Sequence, residues 1–474
     1  EHGWLEPSQP PGSPNVVGGA ANFRSWLLEK EGFSSTSYLL LSSGDNWTGP
    51  AISTWFAGAP MVEAFNILGY DAIAIGNHEF DFGRSVMLQR FDASDAPYLG
   101  ANIRDIGTQR LPFFAVPYLI KEIDGVSVGI LGLANEGTHT CTHPLSTIDV
   151  DFLPYAEVID HYVPKMRKEG VEVVVIIAHE CRQELTQALM DAKSKVDAVF
   201  GAHCHNQFNT EVRGIRLMGS GWALRSYSKL TLRYDKRYGE VVATTGEVVN
   251  VGYPEGETNP VVPDESIQRI VKKWRGKSKP LFHTKVGYAA RGLNKGSWPM
   301  ANWVADSWLW AFPEADASIV VFGGMRQFIG KGPITLSEIL GVLPFENTLM
   351  VVTLTGAELH EVLAYGASHC KERSSSYPAV GGLRYGFSNK GLQIEFLDGR
   401  KIEPEALYTV VITDYMMFGG SGYPFQDIEG DVDFTGINWR EPVLEWLQTM
   451  KTSPQKPLET LIDTTPRNTY FSNK

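Results

Sequence analysis

Side chains that bind metals or move protons recur in this chain where runs of strand-forming residues stop. The densest case is Gly76-Asn77-His78-Glu79-Phe80-Asp81, directly after the run Asp71 to Ile75, where an amide, an imidazole and two carboxylates share one turn. Three other strand ends carry similar groups: Asp45 after Tyr38 to Leu41, His179 after Val171 to Ala178, and His203 with His205 after Val196 to Phe200. His2 stands near the start. Five of the eleven histidines fall at these positions, which argues against a scatter of histidines satisfied in the core. Carboxylate, amide and imidazole together suit a pair of divalent first-row metals, and the thiolates of a structural zinc site are missing.

The elements that deliver these groups are legible as alternation. Helical spacing at Asn22 to Glu31, Ile52 to Leu68, Tyr155 to Lys168 and Glu184 to Lys193 separates the short apolar strands, and Phe113 to Leu133 reads as two strands about Asp124-Gly125. Strands alternating with helices of this length predict an α/β domain with a sheet covered by helices on both faces, whose ligand crevice lies beyond the carboxyl ends of its strands. After Trp222 the pattern changes to strands without helices, and Tyr253 to Pro263 is rich in Pro, Gly, Glu and Asn, as an exit from a domain would be. A charged helix over Ser266 to Lys277 reads as a connector. Helices at Met300 to Trp310 and Leu336 to Leu343, with strands at Ser318 to Phe322, Leu349 to Leu354 and Tyr408 to Thr413, then predict a different, α+β domain. The expected division is 1–255, a linker over 256–280, and 281–474.

At 474 residues the chain exceeds one compact core. No apolar run has the length of a membrane span. The net charge of −12 works against a non-specific grip on nucleic acid, whose binding rests on Lys and Arg. Cys141, Cys181, Cys204 and Cys370 form no CxxC and allow one or two disulfides, a weak pointer to an oxidising compartment. The sequon Asn46-Trp47-Thr48 adjoins Asp45 and is expected to be unmodified. His139-Thr140-Cys141-Thr142-His143 has irregular spacing for a metal cluster and reads as an ordinary loop excursion, and Trp303, Trp308 and Trp310 read as core residues of a helix.

Ser43-Gly44-Asp45, GNHEFD, the strand-final His179 and the GxHxH of Gly201 to His205 together resemble the calcineurin-like metallophosphoesterases. More narrowly, the extended GNHEFD form and the second half resemble the 5'-nucleotidase and UDP-sugar hydrolase family over nearly the whole chain. The resemblance implies an N-terminal metallophosphoesterase α/β sandwich with a smaller C-terminal α+β substrate domain. It implies that Asp45 bridges two divalent ions, Zn or Mn, with His2 and His205 on one and Asn77, His179 and His203 on the other. His78 would then be the proton donor, oriented by Asp81. Such families begin their site with Asp-x-His, so Glu1-His2-Gly3 looks like the tail of that motif: either its Asp falls one position ahead of Glu1, or one metal site lacks a ligand.

For the second domain the resemblance implies a substrate reader. Leu343-Pro344-Phe345-Glu346-Asn347 is similar to the family's PFxN segment, making Phe345 a base-stacking residue and Asn347 a base-bonding one. Phe418 would be the opposite wall, and Arg326 in Gly323-Gly324-Met325-Arg326 would contact phosphate or carboxylate. Ser421 stands where the family usually has an Asp for the ribose hydroxyls, and Phe322 replaces an Asn before the GGxR turn. The implied activity is removal of the 5'-phosphate of nucleotides such as AMP by metal-activated water. The alternatives are a 2',3'-cyclic phosphodiesterase or UDP-sugar hydrolase on the same centre, and a catalytically silent nucleotide-binding or interaction protein. A secreted, periplasmic or vacuolar/lysosomal location is expected over the cytoplasm.

Overall fold

The computed structural model describes residues 1–9, 15–252, 261–369, 374–389 and 391–468. Most of the Tyr253 to Pro263 exit, and Cys370, lie outside the described residues. The chain divides into two units, one built from Glu1–Gln9, Ser13–Thr48 and Ile52–Lys277 and the other chiefly from Ser278–Lys474.

The first unit holds a six-stranded sheet in the order Gln207–Val212, Ile215–Ser220, Ala198–Gly201, Val173–Ala178, Val126–Leu133, Tyr118–Ile123. Its four central strands are parallel and its two edges are antiparallel hairpin partners. Val173–Ala178 is buried along its whole length, as a central parallel strand covered on both faces must be. A smaller parallel sheet orders Leu41–Ser42, Ala72–Ala74 and Tyr98–Leu99.

The two faces of the six-stranded sheet are covered differently. On one, Leu131, Val174, Ile176 and Val199 pack against Val158, Ile159 and Met166 of helix Tyr155–Lys168 and Leu185 and Leu189 of helix Arg182–Asp191. On the other, Val128, Val173 and Val175 meet Leu41, Leu230, Leu232 and Val241, which come from strands, and Leu39 just ahead of one. The expectation of helices on both faces is therefore corrected to sheet against sheet. Alternation along the chain shows that helices intervene, and it is silent on whether two strand sets join one sheet or face each other. The long helix expected over Ile52 to Leu68 is also two helices, Ala51–Thr54 and Ala59–Leu68, parted at Gly58, whose φ of +79° leaves helical space.

Helix Glu265–Lys277 packs on this unit rather than running free. Ile267 and Ile270 are buried, and Lys273 and Trp274 both donate to Glu63. Its charged look belongs to the outward face of an amphipathic helix.

The second unit is organised by a mixed five-stranded sheet, Pro378–Gly381, Ala317–Val321, Leu407–Thr413, Thr348–Thr355, Val432–Asn438. Helix Trp298–Ala311 supplies its largest core side chains: Trp303 and Trp308 are fully buried, and the Trp308 indole donates to the Trp439 carbonyl. Trp310, expected in the core, is 38% exposed because it falls on the outer face of the same helix.

Candidate metal centre

Asp45, Asn77, His179 and His203 all follow the carboxyl ends of parallel strands, so the chain returns each of them to one end of the two sheets. Close approach of the first two loops depends on glycine. A Cβ on Gly76 would stand 2.4 Å from the Asp45 carboxylate and 2.6 Å from its backbone nitrogen, and one on Gly44, at φ +92°, would stand 2.8 Å from the Gly76 nitrogen. His2, Asp45, His203 and His205 themselves hold φ between +54° and +57°. Left-handed backbone at four non-glycine residues of one cluster is strain of the kind that accumulates at functional sites.

Asp45 is the hub. Its Oδ2 lies 2.9 Å from His179 Nε2, 3.6 Å from His2 Nε2 and 3.9 Å from His78 Nε2. Burial would raise this carboxyl, but the charges of His179 and His78 outweigh it and hold the group well below the usual carboxylate range. His2 and His205 converge with their Nε2 atoms 2.7 Å apart, and His203 Nδ1 comes 3.2 Å from His179 Nε2. His179 donates from Nδ1 to the Ser43 carbonyl at 2.7 Å, which turns its other nitrogen toward Asp45.

Two groups, His2 with Asp45 and His78, and Asp45 with His179 and His203, place their donor atoms within 4.8 Å of one another. Asn77 stands at the neighbouring strand end, after Ala72–Ala74. Its amide nitrogen donates to the Cys141 carbonyl at 2.9 Å, while its Oδ1 is buried with no hydrogen-bond partner. A buried amide oxygen without a donor, next in sequence to His78, is compatible with a divalent cation. His78 is included in one group by distance, yet its Nδ1 is bound to Asp81 at 2.7 Å.

Several supporting residues escaped the sequence reading. Glu79 is fully buried, and accepts the backbone N–H groups of Asp45, Asn46 and Gly76 at 2.9, 2.7 and 2.7 Å, tying the two loops together. Burial and then the Asp45 charge push its carboxyl up to about 7. Asp81 receives the Thr48 and Thr142 hydroxyls at 2.6 and 2.8 Å as well as His78. Asn46 of the sequon is itself fully buried. The reading of 139–143 as an ordinary excursion is corrected: that loop supplies Thr142, the Cys141 carbonyl under Asn77, and a Cys141 sulfur 3.9 Å from His203 Nε2. Cys181 and Cys204 form a disulfide. Trp222 stacks on His205, with centroids 5.3 Å apart and planes at 12°. Glu79 inside GNHEFD and the two cysteines next to His179 and His203 were local signals; Thr48, Thr142 and Trp222 sit far along the chain from what they support.

In the second unit, Phe345 is half-buried with its carbonyl accepting the Trp439 indole at 2.9 Å, and the Arg326 guanidinium lies 5.9 Å from its ring centre. Arg440 holds this loop through the Leu343 carbonyl and Glu346. Asn347 is buried, and Phe418 closes the short helix Asp414–Met417. Ser421, at φ +57°, shares a 3.0 Å hydrogen bond with the Tyr415 hydroxyl.

Residues 278–427 match the model of the 5'-nucleotidase C-terminal domain. The first unit carries the metal cluster just described, and the complete fold aligns with a 5'-nucleotidase precursor from Thermus thermophilus at a TM-score of 0.87 and 24% identity, covering 98% of this chain and 97% of that one. What the chain shares with 5'-nucleotidases is thus the C-terminal domain model over residues 278–427 and the fold of the whole. Among relatives, the chain is 26% identical to protein UshA of Yersinia enterocolitica over 87% of its own length and 83% of the relative's. It is 25% identical to endonuclease YhcR of Bacillus subtilis over 89% of its length. The chain spans 30–62% of the length of the first three curated relatives it matches. Its His and Asp residues form groups that could hold a metal ion.

Proposed function

We propose that this chain is a two-metal phosphohydrolase that removes the 5'-phosphate of nucleotides such as AMP. The observation that carries the reading is the convergence of four strand ends on Asp45, with the unpartnered Asn77 Oδ1 among them. His2, Asp45 and His205 would hold one ion and Asp45, Asn77, His179 and His203 the other, with Zn or Mn the ions that this donor set suits. When bound, such a pair polarises the phosphoryl oxygens and makes water nucleophilic at neutral pH.

The protein's own part is positional and protic. His78 Nε2 faces Asp45 while Nδ1 is held by Asp81, so the imidazole is fixed to give a proton to the leaving oxygen. Thr48 and Thr142 donate to Oδ2 and Oδ1 of Asp81, which keeps that carboxylate turned to His78. Phe345 and Phe418 stack on the base, Asn347 bonds it, and Arg326 contacts an anionic group. Ser421, already engaged by Tyr415, makes weaker contact with a ribose than a carboxylate would. The disulfide supports an oxidising compartment, secreted, periplasmic or lumenal, and no described helix is long and apolar enough to cross a membrane.

The test is phosphate release from AMP by the Zn- or Mn-loaded chain, with 2',3'-cyclic AMP and UDP-glucose in parallel. Release from AMP that stops on chelation and returns with metal is expected. Two bound ions with no release from any of the three substrates overturns the reading.

A further inference from the structure

In the second unit, Trp439 follows directly on the strand Val432–Asn438, whose last residue pairs with Thr348 at the start of Thr348–Thr355. That register carries Trp439 one step past the sheet and alongside the loop 343–347. Its backbone N–H donates to the Asn347 carbonyl at 3.1 Å, and its indole Nε1 donates to the Phe345 carbonyl at 2.9 Å. The residue is 1% exposed, and its ring centre lies 6.1 Å from that of Phe345 with the planes at 39°.

The same indole meets a second segment. A Cβ on Gly324 would stand 3.0 Å from Cζ3 and 3.1 Å from Cη2 of Trp439, so the glycine lets the turn Gly323-Gly324-Met325-Arg326 lie against the far edge of the ring. Arg326 closes that turn and donates its backbone N–H to the Val342 carbonyl at 2.8 Å, just ahead of the loop that carries Phe345. Behind both segments, the Trp439 carbonyl accepts the Trp308 indole of the core helix Trp298–Ala311 at 3.1 Å. One buried side chain thus touches the turn of Arg326 and the loop of Phe345, and is itself anchored in the core. A rigid ring held on several sides keeps such an arrangement at little entropic cost.

We propose that Trp439 is a positioning residue for nucleoside recognition, presetting the loop of Phe345 against the turn of Arg326 so that the stacking face exists before substrate arrives. The assignment rests on the base-stacking reading of Phe345 above and adds the residue that holds the stack ready. A loop ordered in advance spends no binding energy on ordering, so the effect falls on affinity and not on the chemical step.

Calorimetric titration of the metal-loaded full chain with adenosine, which carries no phosphate to release, tests this on Trp439→Phe, Gly324→Ala and Phe345→Ala. Trp439→Phe keeps a ring and removes the indole N–H, while Gly324→Ala leaves every donor in place and crowds the same ring from the other side. The loss of one buried hydrogen bond predicts adenosine binding weakened about 3- to 10-fold in Trp439→Phe, with a change in the same direction in Gly324→Ala. In kinetics, KM for AMP rises by a similar factor while kcat holds. Parent-like adenosine affinity in folded Trp439→Phe and Gly324→Ala, beside a loss in Phe345→Ala, overturns the positioning role and leaves the base reading standing. A fall in kcat as large as the rise in KM overturns it as well. Unaltered affinity in Phe345→Ala removes the base reading and this proposal with it. Trp439-dependent adenosine binding in a chain that releases no phosphate upholds the positioning role and removes the catalytic reading.

Discussion

Cys181 and Cys204 are bonded across a sequence separation of 23, with Cα atoms 5.3 Å apart, and the bond joins the loop after His179 to the turn between His203 and His205. It therefore braces three of the proposed ligands at once. Cys204 is flanked by two residues in left-handed backbone, a turn that a cross-link helps to hold.

Reduction by a dithiol, or the Cys181→Ser/Cys204→Ser pair, is expected to lower metal affinity by about 10–100-fold, the usual effect of losing support behind ligands. Metal content after dialysis against a competing chelator measures it. Excess metal should restore activity in the folded variant. Closing a loop of this length also contributes about 3 kcal/mol in the chain-entropy model, so Tm falls as well. Unchanged metal retention would show that the cross-link acts on stability alone.

His78→Ala separates proton donation from ligation. With His78 as the acid, two ions remain bound and kcat falls by about 10²–10⁴-fold. Loss of an ion from this variant would instead make His78 a ligand beside His2 and Asp45, as its distances allow. Asp81→Ala is expected to reproduce the kcat loss with metal content unchanged.

Gly76→Ala tests the contact between the two strand ends. The added methyl would stand 2.4 Å from Asp45 Oδ1 and 2.9 Å from Glu79 Oε2, so one loop must retreat. Elemental analysis is expected to find fewer than two ions per chain, with a Tm below that of the parent protein. A variant with full metal content would show that the loops have slack the distances do not suggest.

Phe345→Ala addresses base reading. Stacking on one base is worth about 1–3 kcal/mol, which corresponds to a rise in KM for AMP of about 5- to 150-fold. A small aryl phosphate that lacks the nucleoside should be hydrolysed as before. Equal effects on both substrates would mean that Phe345 holds its loop against Trp439 and does not meet the base.

Read from sequence alone, the chemistry was more legible than the architecture. Asp45, Asn77, His78, His179, His203 and His205 announce themselves because each ends an apolar run, and the ends of parallel strands lie on one side of a sheet. The helix Tyr155–Lys168 was legible to its boundaries, since its apolar face repeats at helical spacing and Gly170 stops it. Helix Glu265–Lys277 was visible too, but not its attachment, because a docked amphipathic helix and a free connector share one charge pattern.

What the amino-acid order determined by itself was therefore the inventory of donors and the two-part organisation of the chain. Tertiary structure decided which donors meet, that two sheets face each other, and which distant residues support the cluster. Glu79 spans two loops, Thr142 reaches Asp81 from 61 residues away, and Cys181 finds Cys204. Such pairings depend on where separate loops arrive in space, and neither residue spacing nor local propensity contains that information.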